Sequence, residues 1–235
     1  MTTNGLMTIN DKSNKRLTLN NYIMKKIILS LAVVLVSLVS MAQKAEYFKT
    51  MGETLGQFAT CQTVSDFQSL GNKFQMIANV EKSEWLPLYY HAHCYILMSF
   101  VEQDATKKDS YLDVAEKSIN KLIELAPAES EVFALQAFFY TGRLVVNSVE
   151  RGQKYSALSG QAIGKALALD PSNPRAKMLK IRMDIGTAQF FGTDPKSFCP
   201  QAKELLANWD KFKPKSRIHP IWGKDQVAEI VKGCQ

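Results

Sequence analysis

The chain has 235 residues, of which 46% are apolar and 22% charged, with 12 Gly and 8 Pro; this is enough apolar material for a sizeable core and excludes collagen-like, low-complexity and disordered classes. The formal charge of +7 is concentrated at the start, where Lys12, Lys15, Arg16, Lys25 and Lys26 stand against Asp11 alone, so the remainder carries only +3. So small a balance excludes the electrostatic footprint of a nucleic-acid-binding protein.

Residues 1–23 are polar and lack a hydrophobic period, and they read as an unstructured extension or an over-long start ahead of Met24. Lys25 and Lys26 then precede an apolar run, Ile27–Val39, broken only by Ser30 and Ser37, and Ser40, Met41 and Ala42 close it. A basic head, an apolar stretch and small residues at its end make residues 24–42 a secretory signal peptide, with cleavage expected between Ala42 and Gln43. The run is shorter than the roughly 20 apolar residues of a membrane span, so contact with a membrane is expected only through an uncleaved signal. The mature domain, 43–235, is expected in the periplasm or outside the cell. In that oxidising setting Cys61, Cys94, Cys199 and Cys234 admit three pairings. Cys199 opens a helix and Cys234 lies in the tail, so this pair would staple the tail to the body.

From residue 43 on, apolar residues recur three and four apart and no alternating strand pattern appears. Helices are expected near 45–58, 63–81, 84–101, 108–126, 129–146, 150–169, 173–190, 198–212 and 224–232. The 108–126 helix should be capped by Asp109 or Ser110 and ended by Pro127. Every second helix carries a triad at i, i+4 and i+7: Leu70, Phe74, Ile77; Ala115, Ile119, Leu122; Ser159, Ile163, Ala166; and Ala202, Leu206, Trp209. The triads start 45, 44 and 43 residues apart, and Pro127, Pro171 and Pro214 follow the last three at a constant offset. Such recurrence groups the helices into hairpins at 45–81, 84–126, 129–169 and 173–212, none able to bury its apolar face alone. A C-terminal cap at 215–235 would cover the last of them, with Trp222 as its lid and Val227, Ile230 and Val231 as the apolar edge of a short helix.

The spacing from Ala115 to Pro127 and the stretch Ile163 to Asn173 resemble the second helix of a tetratricopeptide repeat. Leu88, Ala92 and Tyr95, and again Phe133, Ala137 and Tyr140, are similar to the bulky, small and aromatic positions of that family's first helix. The resemblance implies an all-α, right-handed solenoid of about four hairpins. It also implies a concave groove lined by first helices, here Tyr89, His93, Ile96, Glu131, Ala134, Phe138, Arg175, Met178 and Arg182. Trp85–Pro87, Asn173–Arg175 and His219–Gly223 further resemble exported helical-repeat proteins of Bacteroidota, a likeness that implies fold and compartment and no activity.

Motifs for chemistry are missing. His91 and His93 lie two apart and point about 200° from each other on a helix, which does not gather one metal ion. His219 precedes Pro220 without a neighbouring carboxylate or cysteine pattern, and no phosphate loop, zinc-protease motif or nucleophile elbow is present. No catalytic, cofactor or metal site is therefore expected. The leading expectation is a non-catalytic scaffold that binds a protein or peptide in its groove, with Arg175 and Arg182, seven apart on one helix face, receiving a carboxylate. The alternative is a periplasmic small-molecule binder or chaperone-like protein whose insertions, near Glu102–Lys108, Gly142–Gln153 and Gly192–Pro200, close over a pocket.

Overall fold

Apolar residues at helical spacing and the absence of strand alternation lead to an all-α chain. In a computed structural model that describes Met24, Lys26 and residues 44–234, no strand occurs among the described residues. The expected leader and cleavage point at Ala42 and Gln43, like residues 1–23, lie outside the described residues. The chain divides into two units, 1–49 and 50–235. In the first, residues 44–49 are helical.

The second unit opens with helical residues 50–56 (α1) and a 3-10 turn, Gln57–Thr60, and continues through α2 (Val64–Val80), α3 (Leu86–Val101), α4 (Ala105–Leu125), α5 (Ser130–Val146) and α6 (Ser148–Leu169). It ends with α7 (Pro174–Phe190), α8 (Cys199–Asn208) and α9 (Lys224–Lys232). Local chemistry sets the starts. Thr63 and Asp66 form a reciprocal capping box on α2, and the Asn173 side chain accepts from the amides of Arg175 and Ala176 at the head of α7. The cap of α4 is Asp104, whose carboxylate accepts from Lys107 N at 2.8 Å, and not Asp109 or Ser110. Asn147 plays the same part for α6. Both helices consequently start earlier than their apolar pattern does: of the insertions expected at 102–108 and 142–153, only residues 102–104 and Asn147 are not helical. Residues 105–108 and 148–153 thus belong to α4 and α6, which reach 21 and 22 residues, whereas the third expected insertion, 192–200, is a turn at Gly192 followed by the 3-10 turn Pro195–Phe198 and the start of α8.

Each of α3, α5 and α7 touches the next, while α2, α4 and α6 pack beside them. The central position of α3 is legible in its composition: Leu86 to Ser99 is apolar around almost the whole circumference, and twelve of its residues are buried. The triads point inward. Phe74, Ala115, Leu122, Ala166 and Ala202 are fully covered, whereas Ile77 and Leu206 are half-buried. Gly142 permits the close approach of α5 to α4, because a Cβ there would meet Leu112 Cδ2 at 2.9 Å. At the end, Cys199 and Cys234 are bonded, with 5.8 Å between their Cα atoms, which fastens α9 to the start of α8.

Candidate functional site

The shared face of α3, α5 and α7 is where a groove is expected, and it is occupied by the chain itself. Residues 215–223 run across it and are held at both ends and in the middle. Lys215 Nζ reaches both carboxylate oxygens of Glu129 at 2.8 Å. Tyr90 Oη donates to the carbonyl of Ile218 at 2.9 Å, and His219 meets Trp85 edge-on. Trp222 Nε1 donates to Tyr89 Oη at 2.8 Å, so the half-buried indole supplies a partner to the fully buried phenol. The Trp222 indole also lies against His93, with ring centres 5.0 Å apart and planes 28° apart, and against Phe138 at 5.2 Å. Gly223 turns the chain into α9 at φ +112°, where only glycine is at ease, and a Cβ there would sit 2.8 Å from the Trp209 ring.

This placement corrects the open groove. Tyr89, His93, Ile96, Ala134, Phe138 and Met178 are all buried. Glu131 grips Arg175 with both oxygens, at 2.6 Å to Nε and 2.5 Å to Nη2, and Asn173 Nδ2 donates to the same carboxylate at 2.9 Å. A guanidinium so paired, and further directed at the Trp222 carbonyl, is not available to a partner's carboxylate. Arg182 stays exposed and lines neither of the cavities described below. Trp222 is not a lid on the last hairpin; it reaches the central helices, and Val227 of α9 is the residue fully buried there.

Two cavities flank the crossing segment. The smaller, about 390 Å³, is walled by Leu55, Phe58, Phe67, Tyr90, His93 and Leu97 from the helices, with Arg217, His219, Ile221 and Trp222 from the segment. Its aromatic walls continue inward, since Phe58 and Tyr90 each stack on Phe74, at 5.8 and 5.2 Å. The larger, about 560 Å³, is more polar and includes Glu129, Ser130, Asp170, Lys211, Lys213 and Lys215; His219 and Ile221 line both. The smaller is the better candidate site, because flat aromatic faces and few polar groups are what a ligand pocket presents.

One of those polar groups is unusual. His93 is fully desolvated and close to Arg175, which pushes its pKa down to about 3 and keeps the imidazole neutral. Its buried Nδ1 has no hydrogen-bond partner. His91 faces elsewhere: its Nδ1 is 2.8 Å from Ser118 Oγ on α4, and burial brings its pKa down to about 4. Ser216 Oγ engages His219 Nδ1 at 2.7 Å. Among the described residues no group of three or more His, Cys, Asp or Glu side chains is placed to hold a metal ion. Sequence reasoning missed the cavity because the contacts that build it join residues more than a hundred positions apart. The available signal was the tail's own composition, with Lys211, Lys213, Lys215 and Arg217 alternating ahead of His219 and Trp222.

No family model and no curated protein matches the chain. Among solved structures it is similar to the HusA haemophore from Porphyromonas gingivalis, a member of the Bacteroidota, with a TM-score of 0.71 and 28% sequence identity over 80% of this chain and 92% of that one. The similar protein is a haem carrier by its name, not a peptide receptor. That finding and the filled groove together overturn the expectation of a protein or peptide partner.

Proposed function

We propose that this protein is a non-catalytic binder of haem or a closely related tetrapyrrole, which it takes into the aromatic cavity beside Trp222. The observation that carries the reading is the wall itself: Phe58, Phe67, Tyr90 and Trp222 offer flat apolar faces around a space that also holds two imidazoles, His93 and His219. Stacking on such faces suits a macrocycle, and a neutral imidazole nitrogen is the commonest protein donor to haem iron. The similarity to a haemophore supports the same class of ligand. In this reading α2 to α8 form a tetratricopeptide-like solenoid whose groove is filled by its own tail, and the 24–42 leader exports the chain. No described helix is long and apolar enough to cross a membrane.

Titrating the protein with haem tests this. The expected result is saturable one-to-one binding, with a shifted Soret band and quenched tryptophan emission. Trp222→Ala should weaken binding by about tenfold or more, as loss of an aromatic stacking face does. Absence of saturable binding by the wild type would sink the proposal.

A further inference from the structure

The aromatic cavity is small for a tetrapyrrole. At about 390 Å³ it lies near the lower end of the roughly 300–1,000 Å³ that ligand pockets span, so a macrocycle seated in it leaves one edge projecting. That edge must be the one bearing acid groups, since a carboxylate loses too much hydration inside an apolar wall. The side of the slot shared with the larger cavity is rich in charge. Arg217 lines the aromatic cavity, and His219 and Ile221 divide it from the larger one, where Lys211, Lys213 and Lys215 stand.

The acids near this row are largely committed. Glu131 is paired with Arg175, Glu129 with Lys215, and Asp170 accepts from the amide and hydroxyl of Ser172. Asp210 is taken by Lys224. Lys211 and Lys213 form no salt bridge among the described residues, and both are exposed at the cavity edge. Two exposed lysines lining a chamber next to an aromatic slot can receive a doubly acidic ligand edge through charge-assisted hydrogen bonds.

Resting on the proposed haem reading, we infer that the Lys211–Arg217 stretch recognises the carboxylates of the tetrapyrrole, so that the site selects the free diacid over its neutral ester. The two cavities thus divide one ligand between them, ring in the smaller and acid groups in the larger.

The test compares iron protoporphyrin IX with its dimethyl ester on the full chain, read by tryptophan quenching, for wild type and for the Lys211→Glu plus Lys213→Glu variant. Wild type should prefer the diacid by about tenfold or more; in the variant the preference should fall to within about twofold, by loss of diacid affinity with the ester unchanged. Raising ionic strength about tenfold should weaken the diacid alone, a reading that needs no variant. Equal binding of diacid and ester by wild type, or an undiminished preference in a folded variant, overturns the inference and leaves the haem reading standing. Failure of wild type to bind either overturns both.

Discussion

Arg175 shows how a side chain can be placed well and interpreted badly from sequence. Its position on the inner face of α7 follows from helical spacing, but Glu131, forty-four residues earlier, neutralises it with two short contacts. Removing one member of so buried a pair leaves an uncompensated charge, which is why such pairs persist without serving a ligand. The two central histidines have an effect that is easier to measure. Burial lowers His93 to about 3 and His91 to about 4, whereas both titrate near 6.5 when unfolded. Below pH 6.5 the unfolded chain therefore binds protons that the folded one refuses, and stability falls with pH. Denaturant unfolding should show a loss of about 2 kcal/mol per histidine between pH 7 and pH 5. This window lies above the carboxylates, whose lowered values at Asp66, Glu102, Asp109 and Asp210 remove stability only in stronger acid. A flat profile across it would mean that water reaches both imidazoles.

At the scale of elements, α9 depends on its attachment. Nine residues do not sustain a helix alone in water, so its order comes from Val227 packed inside and from the Cys199–Cys234 bond. Replacing both cysteines by serine should cost about 2–4 kcal/mol. Hydrogen exchange should then rise first in α9 and in residues 215–223 together, because Gly223 joins them through a single turn; rapid exchange in α9 alone would show that the segment is held by Tyr89, Tyr90 and Glu129 without it. Element boundaries were legible where apolar residues marked them and failed where a cap did. The starts of α4 and α6 depend on Asp104 and Asn147, polar residues that precede the apolar pattern. Residues 105–108 and 148–153 had no turn chemistry strong enough to stop a helix and became helix, whereas 192–200 begins with a turn at Gly192, where φ is +70°.

Across residues 50–235, the sequence disclosed what repeats and concealed what happens once. The triads beginning at Leu70, Ala115, Ser159 and Ala202 announce inward stripes, because burial imposes a period on them. Trp222 donating to Tyr89 across 133 positions has no period and leaves no trace in local pattern. Function followed the same division: an all-helical body was readable, but its inner face looked open because the segment that fills it lies beyond the recurring triads. A chain shortened to end at Lys213 would therefore not yield a ready-made receptor. It would bare Tyr89, His93, Phe138 and the Glu131–Arg175 pair to solvent, and size-exclusion chromatography should find it self-associating where the parent elutes as a smaller species.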